Sequence, residues 1–356
     1  MSQASLIFNR ILNSSITQGA SYIHLESGNK PTLRIAGRLK GLEDESVVDG
    51  DFITEIVKII LSADQQEELE KNKSIIVVHN FEGGMRFKIN IFYQKSSLAM
   101  IFKYLPAEIK KLVDLGLTDQ FIKLLNKKKG LILVTGQHGS GKASTSASML
   151  NHINTNASRY IITIENPIQY IIPPSKSIID QREVGKDTLS FEKAISFAEE
   201  SDADIVFLSE VNNAKSLEKA IDLIDSGRLV IAVVEAPSAA DSIEHLINLV
   251  ADTERSKHRQ IISNLLLGTL VQRLIPRRGG GQIVVLELLI ANPAVSSLIK
   301  EGKHAQLSSI IQTSRDEGMR TLDQSLIELV HTGEVDAKDA LPVATDKIGF
   351  QAAVQE

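Results

Sequence analysis

LILVTGQHGSGKAST, Leu131–Thr145, passes from an apolar, β-branched run through a glycine-rich turn into a lysine followed by small and hydroxylic residues. Gly136-x-x-x-x-Gly141-Lys142, after a strand and before a helix, is the pattern of a phosphate-binding loop. The glycines let consecutive backbone N–H groups curl around phosphate oxygens, the helix N-terminus adds its positive dipole, and Lys142 supplies a point charge. Gly136, Gly139, Ser140, Gly141, Lys142, Ala143 and Ser144 are the candidate nucleotide-binding residues. One position breaks the pattern. Ala143 stands where such loops carry the hydroxyl that binds Mg²⁺, and Ser144 is turned by about 100° on the helix, away from that ligand position. The expected ligand is ATP or ADP, with Mg²⁺ held weakly or not at all. His138 reads as an exposed loop residue rather than a catalyst.

Downstream of the loop, YIITIE (Tyr160–Glu165), DIVFLSE (Asp204–Glu210) and LVIAVVE (Leu229–Glu235) are short apolar runs with helical segments between them. A parallel sheet covered on both faces requires this pattern. LGTLVQRLIP and QIVVLELLI flank Arg277–Gly281 as a hairpin, and TLDQSLIELVHTG presents Leu322, Leu326, Ile327 and Leu329 around a helical apolar face. Upstream, a helix over about Ser5–Gln18 leads to a hairpin around Ser27–Pro31. A helical stretch with Ile53, Ile56, Val57 and Ile60 follows, then three strands broken at Gly83–Gly84 and near Lys95–Ser97. The chain thus reads as α/β: a small α+β domain over 1–105, a connection over 106–118, a P-loop domain with C-terminal helices over 119–345, and a tail over 346–356.

Composition narrows the function. At 356 residues, 43% hydrophobic and 23% charged, the chain has ordinary globular composition with room for two cores. A net charge of -5 and short basic runs at Lys127–Lys129 and Arg277–Arg278 leave no field for nucleic acid. The absence of cysteine excludes a disulfide framework, a thiolate metal site and a cysteine nucleophile. Arg10 interrupts the N-terminal apolar stretch, so it does not read as a secretory signal, and no run approaches the roughly 20 apolar residues of a membrane span. A cytoplasmic location is expected.

QGASYIHLESG (Gln18–Gly28), ITIENPIQY (Ile162–Tyr170), QREVGKDTLSFEKAI (Gln181–Ile195), DADIVFLSE (Asp202–Glu210) and GMRTLDQSL (Gly318–Leu326) occur in one order around the loop. In this the chain resembles the type IV pilus retraction ATPases, the PilT and PilU branch of the secretion ATPase superfamily, over nearly its whole length. The resemblance implies a PAS-like N-terminal domain, a RecA-like P-loop NTPase domain with a C-terminal helical region, and a role in twitching motility. It also implies a hexameric ring; a homo-hexamer and a mixed ring with active paralogues both stay open, with a pilus inner-membrane platform protein as the candidate membrane partner.

The departures from that family's pattern fall on its charge-bearing positions. The acidic box, Glu-Asp-Pro-Ile-Glu in the family, reads Glu165, Asn166, Pro167, Ile168, Gln169 here. An amide keeps hydrogen-bond geometry but neither takes a proton from water nor balances a metal's charge. In the Walker B strand Glu210 remains, as general base or metal-organising carboxylate, but the glycine before it is Ser209 and the following Arg and Asp are Asn212 and Asn213. The histidine box is lost: Gly227 and Arg228 precede the strand, and Glu235, Ala236 and Pro237 follow it. Glu235 is either turned outward or hostile to a γ-phosphate. In the N-terminal domain Arg86 is kept, but Lys88, Ser96 and Lys103 stand where phosphate-binding arginines are expected, and a lysine lacks the bidentate fork. An arginine finger is worth on the order of 10³ to 10⁵ in turnover.

Two readings follow. In one, the protein is a pseudo-ATPase that folds and oligomerises like its family and hydrolyses nucleotide very slowly or not at all. In the other it is an active hexameric motor, with Glu210, Glu165 and Lys142 sufficient for catalysis.

Overall fold

The computed structural model describes residues 3–35, 37–106 and 108–355. Position 107 of the expected connection and position 356 of the expected tail lie outside the described residues. The chain forms two compact units with their boundary between Glu108 and Ile109.

The first unit contains α1 (Gln3–Thr17), β1 (Tyr22–Glu26), β2 (Thr32–Ile35), β3 (Arg38–Gly41), α2 (Gly50–Ile60), α3 (Ala63–Asn72), β4 (Ser74–Asn80), β5 (Arg86–Gln94) and β6 (Ser97–Leu105). Its six-stranded sheet runs β3-β2-β1-β6-β5-β4, with every neighbouring pair antiparallel. Alternation sets the faces: β5 buries Phe87, Ile89 and Ile91 and leaves Arg86, Lys88 and Asn90 on the other side. The buried set packs against Phe8, Ile11 and Leu12 of α1 and Ile53 and Ile56 of α2. Asp49 starts α2 by accepting the Phe52 N–H, and Ser62 starts α3 with a capping box to Gln65.

The second unit contains α4 (Asp119–Leu124), β7 (Gly130–Thr135), α5 (Lys142–Asn156), β8 (Tyr160–Glu165), β9 (Ile178–Glu183), α6 (Phe191–Glu200), β10 (Ile205–Leu208), α7 (Ala214–Asp225), β11 (Leu229–Val234), α8 (Ala239–Asn248), α9 (Arg255–Leu265), β12 (Leu266–Pro276) and β13 (Gln282–Ile290). It ends with α10 (Pro293–Glu301), α11 (Leu307–Thr313), α12 (Leu322–His331), α13 (Ala337–Ala340) and α14 (Lys347–Gln355). The sheet order is β13-β12-β7-β11-β10-β8-β9; β12 and β13 form an antiparallel hairpin and the other pairs are parallel. Both faces are covered. Leu131, Leu133, Ile162, Ile164, Val206 and Val230 pack toward α6, α7 and α8, while Ile132, Val134, Ile161, Phe207 and Ile231 pack toward α4 and α5.

Two expectations about the ends of this unit need correction. Within 346–356, Lys347–Gln355 is a helix rather than a tail, with Phe350 buried beside Leu322, Leu326 and Ile275. Within 106–118, Leu112, Leu115 and Leu117 are buried in the core around Phe121, so most of the connection belongs to the second unit.

Candidate nucleotide site

Parallel register aligns the carboxyl ends of β7, β8, β10 and β11: Thr135 lies beside Val234, Ala232 beside Leu208, and Leu208 beside Ile164. Open α/β sheets place their ligands at this edge. The glycine loop, Glu165, Ser209, Glu210 and Glu235 all follow directly from these strand ends.

The loop turns on glycines. Gly136, Gly139 and Gly141 have φ of 149°, 80° and 91°. A Cβ on Gly136 would stand 2.5 Å from both the Gln272 carbonyl oxygen and Ser140 Oγ. Gln272, buried in β12, ties the loop to its helix: its Nε2 donates to the Ser140 carbonyl at 2.7 Å, and its Oε1 accepts from Thr145 Oγ1 at 2.6 Å. The Ser140 hydroxyl is buried with no hydrogen-bond partner. A cradle that side chains would fill, an unpaired hydroxyl and a helix N-terminus together suit a phosphate group.

Lys142 Nζ is folded back into the loop, donating to the Gly136 carbonyl at 2.6 Å and the Gln137 carbonyl at 2.9 Å. Its third oxygen neighbour is Glu235 Oε1 at 3.4 Å. The lysine side chain is 12% exposed and Glu235 66%. Burial lowers the ammonium pKa, and Glu235 opposes that shift. His138, 86% exposed, lies 3.9 Å from the same carboxylate oxygen. Glu235 therefore faces the phosphate side. A γ-phosphate charge about 4 Å from it would be opposed by about 1 kcal/mol in water-like surroundings.

A magnesium ion finds few oxygens here. Ala143 offers none, and the Ser144 hydroxyl is hydrogen-bonded to Tyr170 of the acidic-box loop. Glu165 is buried and turned inward, accepting Thr163 Oγ1 at 2.7 Å and Gln181 Nε2 at 3.1 Å. Among the described residues no group of three or more His, Asp or Glu side chains is arranged to hold a metal. Protein-held Mg²⁺ commonly uses only one or two carboxylates beside phosphates and water, and at this edge Glu210 is the other carboxylate at a strand end.

β9, which the sequence reading did not separate as a strand, supports the acidic-box loop. Gln181 accepts the Ile172 N–H and donates to the Tyr170 carbonyl, and Glu183 accepts the Ile168 N–H. Asn166 is exposed, and the Gln169 backbone N–H donates to Glu165. Burial raises the Glu165 pKa, partly offset by its hydrogen bonds from Thr163, Gln181 and Gln169. From the ordinary carboxylate value up to that raised value the native state holds more protons than the unfolded chain, so this group's contribution to stability falls as pH rises. Urea titrations from about pH 4 to about pH 8 are expected to show Glu165→Gln gaining on the wild type through that window and a constant difference above it. A difference independent of pH would mean that the carboxyl titrates as it does in the unfolded chain.

Of the remaining candidates, one lies at the same edge and the others lie elsewhere. Glu210 Oε2 accepts from Asn212 Nδ2 at 3.2 Å at the end of β10. Arg228 precedes β11 and so stands at the opposite edge of the sheet from the loop. Its guanidinium donates to Ser226 Oγ and to the Glu199 and Ser201 carbonyls. In the first unit, Lys88 and Lys103 are directly paired across β5 and β6, and Ser96 sits in the intervening turn with φ 62°. The sequence reading missed Gln272; its one signal was a polar residue inside the apolar run LGTLVQRLIP.

The chain matches the family model described as type II/IV secretion system protein over residues 2–342. It is 32% identical over 330 residues to the type IV pilus retractation ATPase PilT of Pseudomonas aeruginosa, covering 93% of this chain and 96% of that protein. With the type IV pilus ATPase PilU of the same species it shares 28% over 335 residues, covering 94% and 87%. Against the crystal structure of the pilus retraction motor PilT with bound ADP, the TM-score is 0.83 at 36% identity, covering 96% of this chain and 98% of that one. The Legionella pneumophila ATPase DotB, at 17% identity, a TM-score of 0.82 and 95% coverage of each chain, shares the fold. The architecture is thus a PAS-like α+β domain followed by a RecA-like P-loop domain with C-terminal helices. By family model, sequence and fold, the chain belongs to the type II/IV secretion system protein family, in its PilT and PilU branch.

Proposed function

We propose that this protein is a nucleotide-binding pseudo-ATPase of the type IV pilus machinery, a structural or regulatory ring subunit that holds a nucleotide without turning it over. The observation that carries this reading is the Glu235 carboxylate 3.4 Å from Lys142 Nζ, beside a loop whose metal-ligand position is Ala143. Lysine and magnesium are the groups that neutralise charge on a transferring phosphoryl group; here one faces an acid and the other lacks its oxygen. The subunit joins either a homo-hexamer or a mixed ring with active paralogues, on the cytoplasmic side, with a pilus platform protein as the membrane contact. The opposing reading, an active retraction motor, is favoured by one feature: Glu165 ends β8, and Glu210 follows the neighbouring strand β10 at the same edge.

Steady-state phosphate release with Mg·ATP decides between them. The wild-type rate is expected to be no higher than that of Lys142→Ala prepared identically. A clear wild-type rate that vanishes in the variant would establish the motor and overturn the pseudo-ATPase.

A further inference from the structure

The Lys142 ammonium has three N–H donors and three oxygen neighbours, the Gly136 and Gln137 carbonyls and Glu235 Oε1. Only the last carries a charge. The backbone that bears it is anchored downstream: Arg273 Nη2 donates to the Pro237 carbonyl at 3.2 Å, and the Ala239 N–H donates to Glu287 Oε1 at 2.7 Å. Upstream, Val234 is paired with Thr135 at the start of the loop. The turn bearing Glu235 is therefore fixed against the phosphate loop, and only the side chain is free to rotate.

The parts of a phosphate loop serve different phosphates. Backbone N–H groups cradle the α- and β-phosphates, whereas the lysine and the metal serve the β/γ end. The N–H cradle is intact here, with its glycines in place and the Ser140 hydroxyl unpaired. The γ end is not: Lys142 is matched by an acid and Ala143 supplies no metal ligand. A terminal phosphate would add negative charge next to Glu235 with little to offset it.

We infer that the site is selective for a nucleoside diphosphate over the triphosphate, and that Glu235 is the residue that sets this selectivity. The inference rests on the nucleotide site of the preceding section and adds which nucleotide occupies it. Selectivity of about tenfold is expected from one like charge at this distance in partly exposed surroundings.

The test is equilibrium binding of fluorescent ADP and fluorescent AMP-PNP to the full chain, with and without Mg²⁺. Wild type is expected to bind ADP about tenfold more tightly than AMP-PNP, with Mg²⁺ changing that ratio less than about twofold. Glu235→Gln is expected to bring the ratio below about threefold by tightening AMP-PNP while ADP changes less than about twofold. Glu235→Ser serves as a second variant without the isosteric amide, and circular dichroism verifies that both fold. Equal wild-type affinities, no binding of either nucleotide, or an unchanged ratio in both variants would overturn the inference. Phosphate release separates the two claims. A protein that hydrolyses ATP yet prefers ADP defeats the pseudo-ATPase and leaves the inference standing; a silent protein that binds both nucleotides equally does the reverse.

Discussion

Gly136→Ala is expected to destabilise the protein by about 2–6 kcal/mol and to abolish nucleotide binding. Two terms add. The backbone at Gly136, with φ of 149°, lies where side chains are strained, at a cost of about 1–3 kcal/mol. The new methyl would also overlap the Gln272 carbonyl oxygen and Ser140 Oγ, each 2.5 Å from the Cβ position. That carbonyl belongs to the backbone of β12, which is paired with β7 on one side and β13 on the other, so it cannot simply move aside. Overpacking of this kind costs about a further 1–3 kcal/mol, a large part of the roughly 5–15 kcal/mol that holds a typical protein folded. Gly139→Ala is the control. Gly139 also has positive φ, at 80°, but a Cβ there meets nothing within 4 Å. Its expected cost is the backbone term alone, about 1 kcal/mol, with nucleotide binding retained. Urea unfolding followed by circular dichroism, together with nucleotide titration, measures both variants. Equal effects at the two glycines would show that the loop is not packed against β12 as described.

How much of this was legible depends on whether a feature is local. The strands β7, β8 and β11 were bounded to within a residue because continuous Ile, Leu and Val runs with polar ends have few alternatives. The glycine loop was legible for the same reason: its chemistry lies within consecutive residues. β9 was not, because IIDQRE has apolar residues only at one end and is held as an edge strand by pairing with β8. Nor was α14 visible as a docked helix; KIGFQAAVQ has a weak apolar face, and its burial comes from Phe350 entering a cluster built by β12, β13 and α12. The site divides likewise. Sequence spacing left Glu235 with two orientations, and only the β7–β11 register brings it to Lys142. Arg228, grouped with Glu235 by sequence pattern, is separated from it by the length of β11. A strand carries its first and last residues to opposite edges of the sheet, and a pattern read along the chain does not register that.

The contact least legible in the sequence is expected to have the second large effect. Gln272→Leu keeps about the same volume while removing both hydrogen bonds that bind the phosphate loop to β12. It would leave the Thr145 hydroxyl and the Ser140 carbonyl buried without their partner, and each stranded group costs about 1–3 kcal/mol. The expected loss is about 2–6 kcal/mol in urea unfolding, with nucleotide affinity reduced at least about tenfold because the loop is no longer pre-organised. Adding Thr145→Val distinguishes a network from a packing defect. With the hydroxyl gone one stranded donor disappears, so the double variant is expected to be more stable than Gln272→Leu alone, by about 1 kcal/mol or more. Strict additivity of the two substitutions would mean that Thr145 and Gln272 act independently. Recovery of stability without recovery of affinity would assign the loop's position to the other lost bond, from Gln272 Nε2 to the Ser140 carbonyl, which Thr145→Val does not restore.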